Sequence, residues 1–223
     1  MARAKVGVLL SGCGVYDGAE IHESVVTLLA LDRAGAEAIC MAPNVNQLHV
    51  VNHLSGDVSG EKARNVLTES ARIARGKVRD LGTVNPSELD ALILPGGYGA
   101  AKNLSDYAIK GADCTVHPDV ARLIKTMHAA GKPIGALCIA PAVVARVLGA
   151  ERPRLTIGND ASTAATLEAM GARHQACSVR DIVVDYEARI LSTPAYMLAE
   201  AIGEAASGIE KLVHEILAMV AKE

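Results

Sequence analysis

Short apolar runs alternate with amphipathic stretches along most of the chain. Val6-Gly7-Val8-Leu9-Leu10, Ala38 to Ala42, Leu89 to Leu94 and Pro133 to Leu137 each read as a buried strand. The first three stop at turn signals, Ser11-Gly12, Pro43 and Pro95-Gly96-Gly97. Between the runs, apolar residues recur at helical spacing. Asp17 is placed to cap a helix, and Glu20 three residues later completes a capping-box pattern. Ile21, Val25, Leu28 and Leu29 then share one face, and Gly35 is placed to stop the helix. Asn85-Pro86-Ser87-Glu88 is a second helix-start signature. Pro118 opens a helix to about Ala130, with Val120, Leu123, Ile124 and Met127 on one face. Pro141 opens another that ends near Gly149.

Residues 44–85 are less regular, with an apolar run from Leu48 to Val51 and a charged helical stretch around Glu61 to Arg75. They are neither Gly/Ser-rich nor low in complexity, so they read as an elaboration of the domain rather than a linker. Thr156-Ile157, Ile182 to Val184 and Ile190-Leu191 are short strand candidates, the last two joined as a hairpin through Tyr186-Glu187-Ala188. A closing helix is expected from about Met197 to Ala221. Strand–helix alternation predicts one α/β domain over residues 1–223: a mostly parallel sheet with helices on both faces. Such sheets place their sites at the C-terminal ends of the strands.

Composition narrows the function classes. Half the 223 residues are apolar, enough for a buried core and too many for a disordered chain. Aromatic residues make up 2%, with no Phe or Trp, and the net charge is −3. Base-stacking modules need rings and phosphate backbones attract basic surfaces, so no nucleic-acid partner is expected. The most apolar stretch, Pro133 to Ala145, falls short of the ~20 residues of a bilayer span, so no membrane partner is expected either. Met1 to Lys5 leads straight into the first strand without a signal-peptide pattern, which reads as a cytoplasmic protein. Cys13, Cys40, Cys114, Cys138 and Cys177 are scattered and odd in number, with no C-x-x-C pair. That pattern argues against a disulfide framework or a cysteine-rich zinc site.

Three strand ends attract attention: Ser11 to Gly18, Pro95 to Gly99, and Leu137 to Pro141. In Ala136-Leu137-Cys138-Ile139-Ala140, small residues stand two positions either side of a cysteine, as a nucleophile on a sharp strand-to-helix turn requires. The following helix start would favour the thiolate. A buried structural cysteine is the competing reading. The Gly96-Gly97 pair suits a ligand-facing oxyanion hole, with the Ile139 N–H as a second donor, or an ordinary tight turn. Asp17 and Glu20 are explained by capping. Glu23 is not, and reads either as a proton-shuttling acid beside the thiol or as a solvated helix charge. No His adjoins Cys138. His22, His117, His128 and His174 read as surface or satisfied-core residues. His49 and His53 are four apart without a third ligand, so no metal site is expected.

Several segments carry a resemblance. Leu10-Ser11-Gly12-Cys13-Gly14-Val15-Tyr16-Asp17-Gly18, Glu20-Ile21-His22-Glu23, Ala71-Arg72-Ile73-Ala74-Arg75-Gly76, the stretch from Pro95 to Leu104, Cys138-Ile139-Ala140-Pro141-Ala142 and Thr193-Pro194-Ala195-Tyr196-Met197 resemble the ElbB family. These are the "isoprenoid biosynthesis protein with amidotransferase-like domain" proteins of the PfpI and class I glutamine amidotransferase-like superfamily. The resemblance runs from about Lys5 to Val220. It implies a flavodoxin-like three-layer sandwich, with the reactive cysteine at Cys138 and its acid at Glu23, Glu20 being the competing position. It further implies a cofactor-independent glyoxalase converting glyoxal to glycolate, a small aldehyde substrate, and a homodimer. A non-catalytic or redox-sensing protein on the same scaffold is the alternative, since a sensor also needs an exposed low-pKa thiol. The sequence departs from the superfamily in having no late His-x-Glu pair, Ile139 where many relatives carry His, and Gly158 where others do. Those departures count against amidotransferase and peptidase chemistry.

Overall fold

The computed structural model describes residues 3–221. In chain order the elements are β1 (Lys5–Leu9), α1 (Ile21–Arg33), β2 (Glu37–Ala42), α2 (Val66–Ile73), β3 (Val78–Asp80), β4 (Ala91–Leu94), α3 (Tyr98–Lys102), α4 (Tyr107–Lys110), α5 (Pro118–Ala129), β5 (Ile134–Leu137), α6 (Pro141–Leu148), β6 (Arg154–Leu155), α7 (Ala161–Ala169), β7 (Arg173–His174), β8 (Val183–Asp185), β9 (Ile190–Thr193) and α8 (Ile202–Val220). Seven strands form one sheet in the order β3-β2-β1-β4-β5-β9-β8. All its pairings are parallel except β8 with β9, where Val184 faces Leu191. β6 and β7 make a separate parallel pair.

The period-2 alternation of the strands divides the core in two. Val6, Val8 and Leu10 pack on the side of α1 and α8, while Leu9 packs on the side of α5 and α6. β4 divides in the same way, Ile93 to one side and Leu92 and Leu94 to the other. This is the expected flavodoxin-like sandwich of the class I glutamine amidotransferase-like kind. The strand order reverses direction at β1 and β4, and crevices open beyond strand ends at such a point.

α5 buries the four residues its spacing predicts. α1 does not bury the stripe that its apolar residues suggest. Ile21, Val25 and Leu29 are 42%, 47% and 41% exposed, and the buried face is Glu23, Ser24, Val26, Thr27, Ala30 and Leu31. Two hydroxyls on that face are satisfied within the helix, Ser24 Oγ donating to Glu20 O and Thr27 Oγ1 to Glu23 O. The start of α1 is also corrected. Glu20, not Asp17, is the N-cap, its Oε2 accepting from Glu23 N at 2.6 Å. Asp17 instead accepts from Val51 N, fastening the 44–65 segment to the loop after β1.

Other boundaries move. Asn85-Pro86-Ser87-Glu88 forms a single 3-10 turn over Pro86–Glu88. The strand expected at Thr156-Ile157 lies two residues earlier, and the closing helix starts at Ile202 after a 3-10 turn over Ala195–Met197. The charged stretch from Glu61 to Arg75 yields only the two turns of α2, capped by Asn65, and Arg64 and Arg72 pair with Glu61 and Glu69.

The two glycines near the start of α8 are there for different reasons. A Cβ at Gly208 would collide with Thr193 Oγ1 and lie 2.9 Å from Val179 O, so glycine lets the helix seat on the end of β9. A Cβ at Gly203 meets nothing within 4 Å. Gly208→Ala is therefore expected to destabilise by about 1–3 kcal/mol, the usual range for overpacking. Gly203→Ala should be neutral or stabilise by up to about 1 kcal/mol through helix propensity. Urea unfolding of both variants checks the pair, and equal effects would refute the packing account.

Candidate functional site

Three strand ends, those of β4, β5 and β9, converge on one carboxyl group. β5 ends at Leu137, and the chain turns sharply at Cys138 before α6. Cys138 has φ +58°, the left-handed region that a side chain rarely adopts. Its N–H donates to Thr193 O at the end of β9, 3.0 Å away, which holds the turn against relaxation. α6 begins with Pro141, which needs no N–H at a first helical position. Cys138 is 7% exposed.

Glu23, in the first turn of α1, is fully buried. Its Oε2 accepts from Gly96 N at 2.8 Å and its Oε1 from Tyr196 N at 3.1 Å. The carboxyl also hydrogen-bonds the Cys138 thiol. Glu20 was the rival position; its carboxylate is engaged in capping α1, although it does reach the cavity wall. The structure thus brings Glu23 rather than Glu20 against the sulfur.

The glycine pair has two separate uses. The Gly96 N–H is occupied by Glu23, so the expectation that Gly96 supplies an oxyanion donor is corrected. A side chain cannot fit there: a Cβ at 96 would lie 2.8 Å from Glu23 Oε2 and 3.0 Å from Cys138 Sγ, and would overlap Cys138 Cβ. Gly97, at φ +89°, turns its N–H to the sulfur, as does Ile139. These two peptide groups are the donors available near an atom bonded to Sγ.

Burial dominates the electrostatics. It pushes the Glu23 carboxyl up to about 7, with the Glu20 charge adding to the rise and the Tyr196 and Gly96 N–H groups opposing it. Burial, followed by the facing Glu23 charge, raises the Cys138 thiol well above its ordinary value, against the pull of the Gly97 and Ile139 N–H groups. The thiolate expected from the helix start is therefore corrected: at neutral pH the sulfur holds its proton, and the acceptor for it is the adjacent carboxylate.

A cavity of about 380 Å³ opens onto this pair, walled by Cys138, Ile139, Gly97, Val15, Tyr196 and Met197 among others. Among the described residues no Lys or Arg lines it. His53 bonds the loop after β1 through Tyr16 N, and no cluster of three metal-binding side chains occurs among the described residues. Two contributors stood in the segment Thr193 to Met197, which carried the resemblance, without a role assigned to them. Tyr196 supplies a peptide N–H to the acid, and Ala195 before it stands at φ +43°. Nothing in residue type marks them; only their place just past β9 does. His22, read as a surface or satisfied-core residue, contacts the Tyr196 hydroxyl.

The chain is similar to proteins with this architecture. It is 46% identical to the human glutamine amidotransferase-like class 1 domain-containing protein 3, mitochondrial, over 98% of this chain and 84% of that protein. It is 44% identical to the rat ES1 protein homolog, mitochondrial, over 99% and 85%. These mitochondrial relatives overturn the expectation of a cytoplasmic protein drawn from Met1 to Lys5, residues of which the first two lie outside the described structure. Among solved structures it resembles the isoprenoid biosynthesis protein with amidotransferase-like domain from Ehrlichia chaffeensis, at 38% identity and TM-score 0.89, covering 96% of this chain and 99% of that one. Drosophila melanogaster DJ-1beta shares the fold at 19% identity and TM-score 0.57, covering 99% and 97%. The DJ-1/PfpI family model matches residues 13–187, a span that takes in the turn at Cys138, the acid at Glu23 and the glycine pair between them, and the chain belongs to that family.

Proposed function

We propose that the protein is a cofactor-independent glyoxalase of the ElbB kind, converting glyoxal and water to glycolate. The observation that carries this reading is the contact between the Cys138 thiol and a carboxyl group poised near neutrality. The thiol adds to one aldehyde carbon, forming a C–S bond. Its proton passes through Glu23 to the new hydroxyl, giving a hemithioacetal whose oxygen lies against the Gly97 and Ile139 N–H groups. Ionised Glu23 then removes the C–H proton of that carbon, and the electron pair moves toward the neighbouring carbonyl oxygen to give an enediolate. Return of that proton to the second carbon, with the hydroxyl proton of the first carbon passing to the oxygen of the second, leaves a thioester of glycolate. Water cleaves the C–S bond and restores the thiol. One carbon is oxidised and the other reduced, so no external oxidant or cofactor enters the balance.

The redox-sensor alternative needs an exposed thiol of low pKa, and a buried, raised thiol does not favour it. The name of the Ehrlichia relative mentions isoprenoids, but a wall without Lys or Arg does not suit a prenyl diphosphate.

The reading makes Glu23 a base that must be ionised. Glycolate formation from glyoxal should therefore rise in kcat/KM as pH passes through about 7. Cys138→Ser should abolish it. Glu23→Gln should lower it by about 10²–10⁴-fold and lose the pH limb. Equal glycolate production by wild type and Cys138→Ser would remove the mechanism.

The same carboxyl affects stability. Its folded value is raised from 4.5 to about 7, so its contribution is present below about pH 4.5 and is lost as pH rises through about 7. The wild type should lose up to about 3 kcal/mol across that window from this group. In Glu23→Gln, thermal midpoints between pH 5 and 8 should lie on a flatter line. A slope unchanged by the substitution would show that Glu23 is not the group titrating.

A further inference from the structure

The mechanism above leaves one pair at the site unused. His22 Nδ1 and the Tyr196 hydroxyl are 2.8 Å apart, with ring centroids at 5.7 Å. His22 is exposed and precedes Glu23 on α1; Tyr196 is half-buried and is the residue whose N–H holds Glu23. Just past the strained step at Ala195, Tyr196 thus gives its peptide N–H to the acid and sets its hydroxyl against His22, and it lines the cavity that Cys138 also lines.

That wall carries few other hydroxyls. The Tyr107 hydroxyl bonds Thr166, and the Thr163 hydroxyl bonds Asp160. Tyr98 is 52% exposed, with the Lys102 amine 5.1 Å from its ring centroid. Tyr196 alone among them is joined directly to the acid–thiol pair.

The chemistry needs a donor there. Removing the C–H proton places negative charge on the oxygen of the second carbon, and the Gly97 and Ile139 N–H groups serve the first. Glyoxal has four heavy atoms, roughly the space of three or four waters at ~30 Å³ each. A cavity of about 380 Å³ leaves its second carbonyl free to rotate about the C–C bond once the first is bound. Enolisation requires the breaking C–H bond to stand roughly perpendicular to the plane of that carbonyl, so that its electron pair overlaps the π system, and a partner that fixes the carbonyl's rotation therefore raises the rate.

Building on the glyoxalase reading, we propose that Tyr196, positioned by His22, binds the second oxygen of a 1,2-dicarbonyl substrate and donates a hydrogen bond to it as the enediolate forms. With Nδ1 protonated, His22 donates to the phenol oxygen and leaves the phenol proton for the substrate. Burial, then the Glu20 and Glu23 charges, raise the Tyr196 phenol, which keeps that proton in place. No net proton transfer to or from Tyr196 is involved. The C–H proton goes to Glu23 and returns to the second carbon.

Tyr196→Phe removes only the hydroxyl and keeps the N–H that holds Glu23. With glyoxal as substrate, kcat should fall about 10²-fold, as for loss of one oxyanion donor, with KM changed less than about threefold. The pH limb near 7 should stay in place. A merely structural role, acting by disturbing Glu23, would move it. His22→Ala should lower kcat less, and His22→Gln, whose amide can still donate to the phenol, should recover part of the loss. Glycolohydroxamate, a stable mimic of the enediolate, should bind wild type at least tenfold more tightly than Tyr196→Phe in titration calorimetry. Unchanged kcat in Tyr196→Phe, a displaced limb, or equal or undetectable glycolohydroxamate binding would overturn the proposal. The two readings fail separately. Absent wild-type turnover, or full turnover by Cys138→Ser, condemns the glyoxalase reading, and the calorimetric comparison still decides whether Tyr196 recognises an enediolate-like pair of oxygens.

Discussion

A carboxyl group without solvent contact has to be met by donors, and the disposition of Glu23 governs much of what surrounds it. Two peptide N–H groups from different strand ends, at Gly96 and Tyr196, supply those bonds. To deliver Glu23 there, α1 turns its polar-looking side inward and leaves Ile21, Val25 and Leu29 outside. Ser24 and Thr27 tolerate that side because each returns its hydroxyl to a carbonyl one turn earlier. Gly96 cannot bear a side chain because the acid and the thiol occupy the space. A helix rotation, a glycine and a strained peptide at Ala195 therefore share one cause.

The arrangement also bears on the absence of a histidine beside the cysteine. An imidazole is useful to a thiol because it titrates near neutrality. Here burial brings a carboxyl to the same range. The two solutions differ in charge. A cysteine–imidazole pair can rest as an ion pair, whereas a thiol facing a carboxylate is discouraged from ionising. Such a thiol gains its nucleophilicity only as the proton leaves for Glu23, which suits addition to a reactive aldehyde better than attack on an amide.

Hydrophobic spacing made β1, β2, β4, β5, α5 and the hairpin of β8 with β9 legible, because in those elements burial follows side-chain polarity. The same criterion fails for α1. A pattern that ranks glutamate, serine and threonine as outward-facing cannot see a helix rotated about a buried acid. β3, β7, α3 and α4 are too short to show a period of their own, and the alanine-rich α7 buries only Leu167. Cys138 and Glu23 could be singled out, one by its small neighbours and the other because capping did not explain it. The use of Gly96 could not, since a glycine pair looks the same whether its N–H groups face a ligand or a side chain. Tyr196 was hidden for a related reason: its contribution to Glu23 comes from the backbone.

Thr193 ties the site to the rest of the fold. Its carbonyl holds Cys138 N, and its hydroxyl donates to Asp181 O at 2.8 Å. Two residues later comes Ala195 at φ +43°. The end of β9 thus supports both non-glycine strained positions at the site, each of a kind that costs on the order of 1–3 kcal/mol. Strain persists only where the surroundings leave no relaxed alternative. Here the surroundings are parallel pairing of β9 with β5 through Leu137↔Thr193 on one side, and α8 seated at Gly208 on the other. The thiol and the acid are therefore placed by opposite ends of one support: the sheet fixes Cys138, and the loop leaving the same strand fixes the N–H that holds Glu23. A shift of β9 would move both in concert, which is how two groups on elements more than a hundred residues apart keep a hydrogen-bond distance.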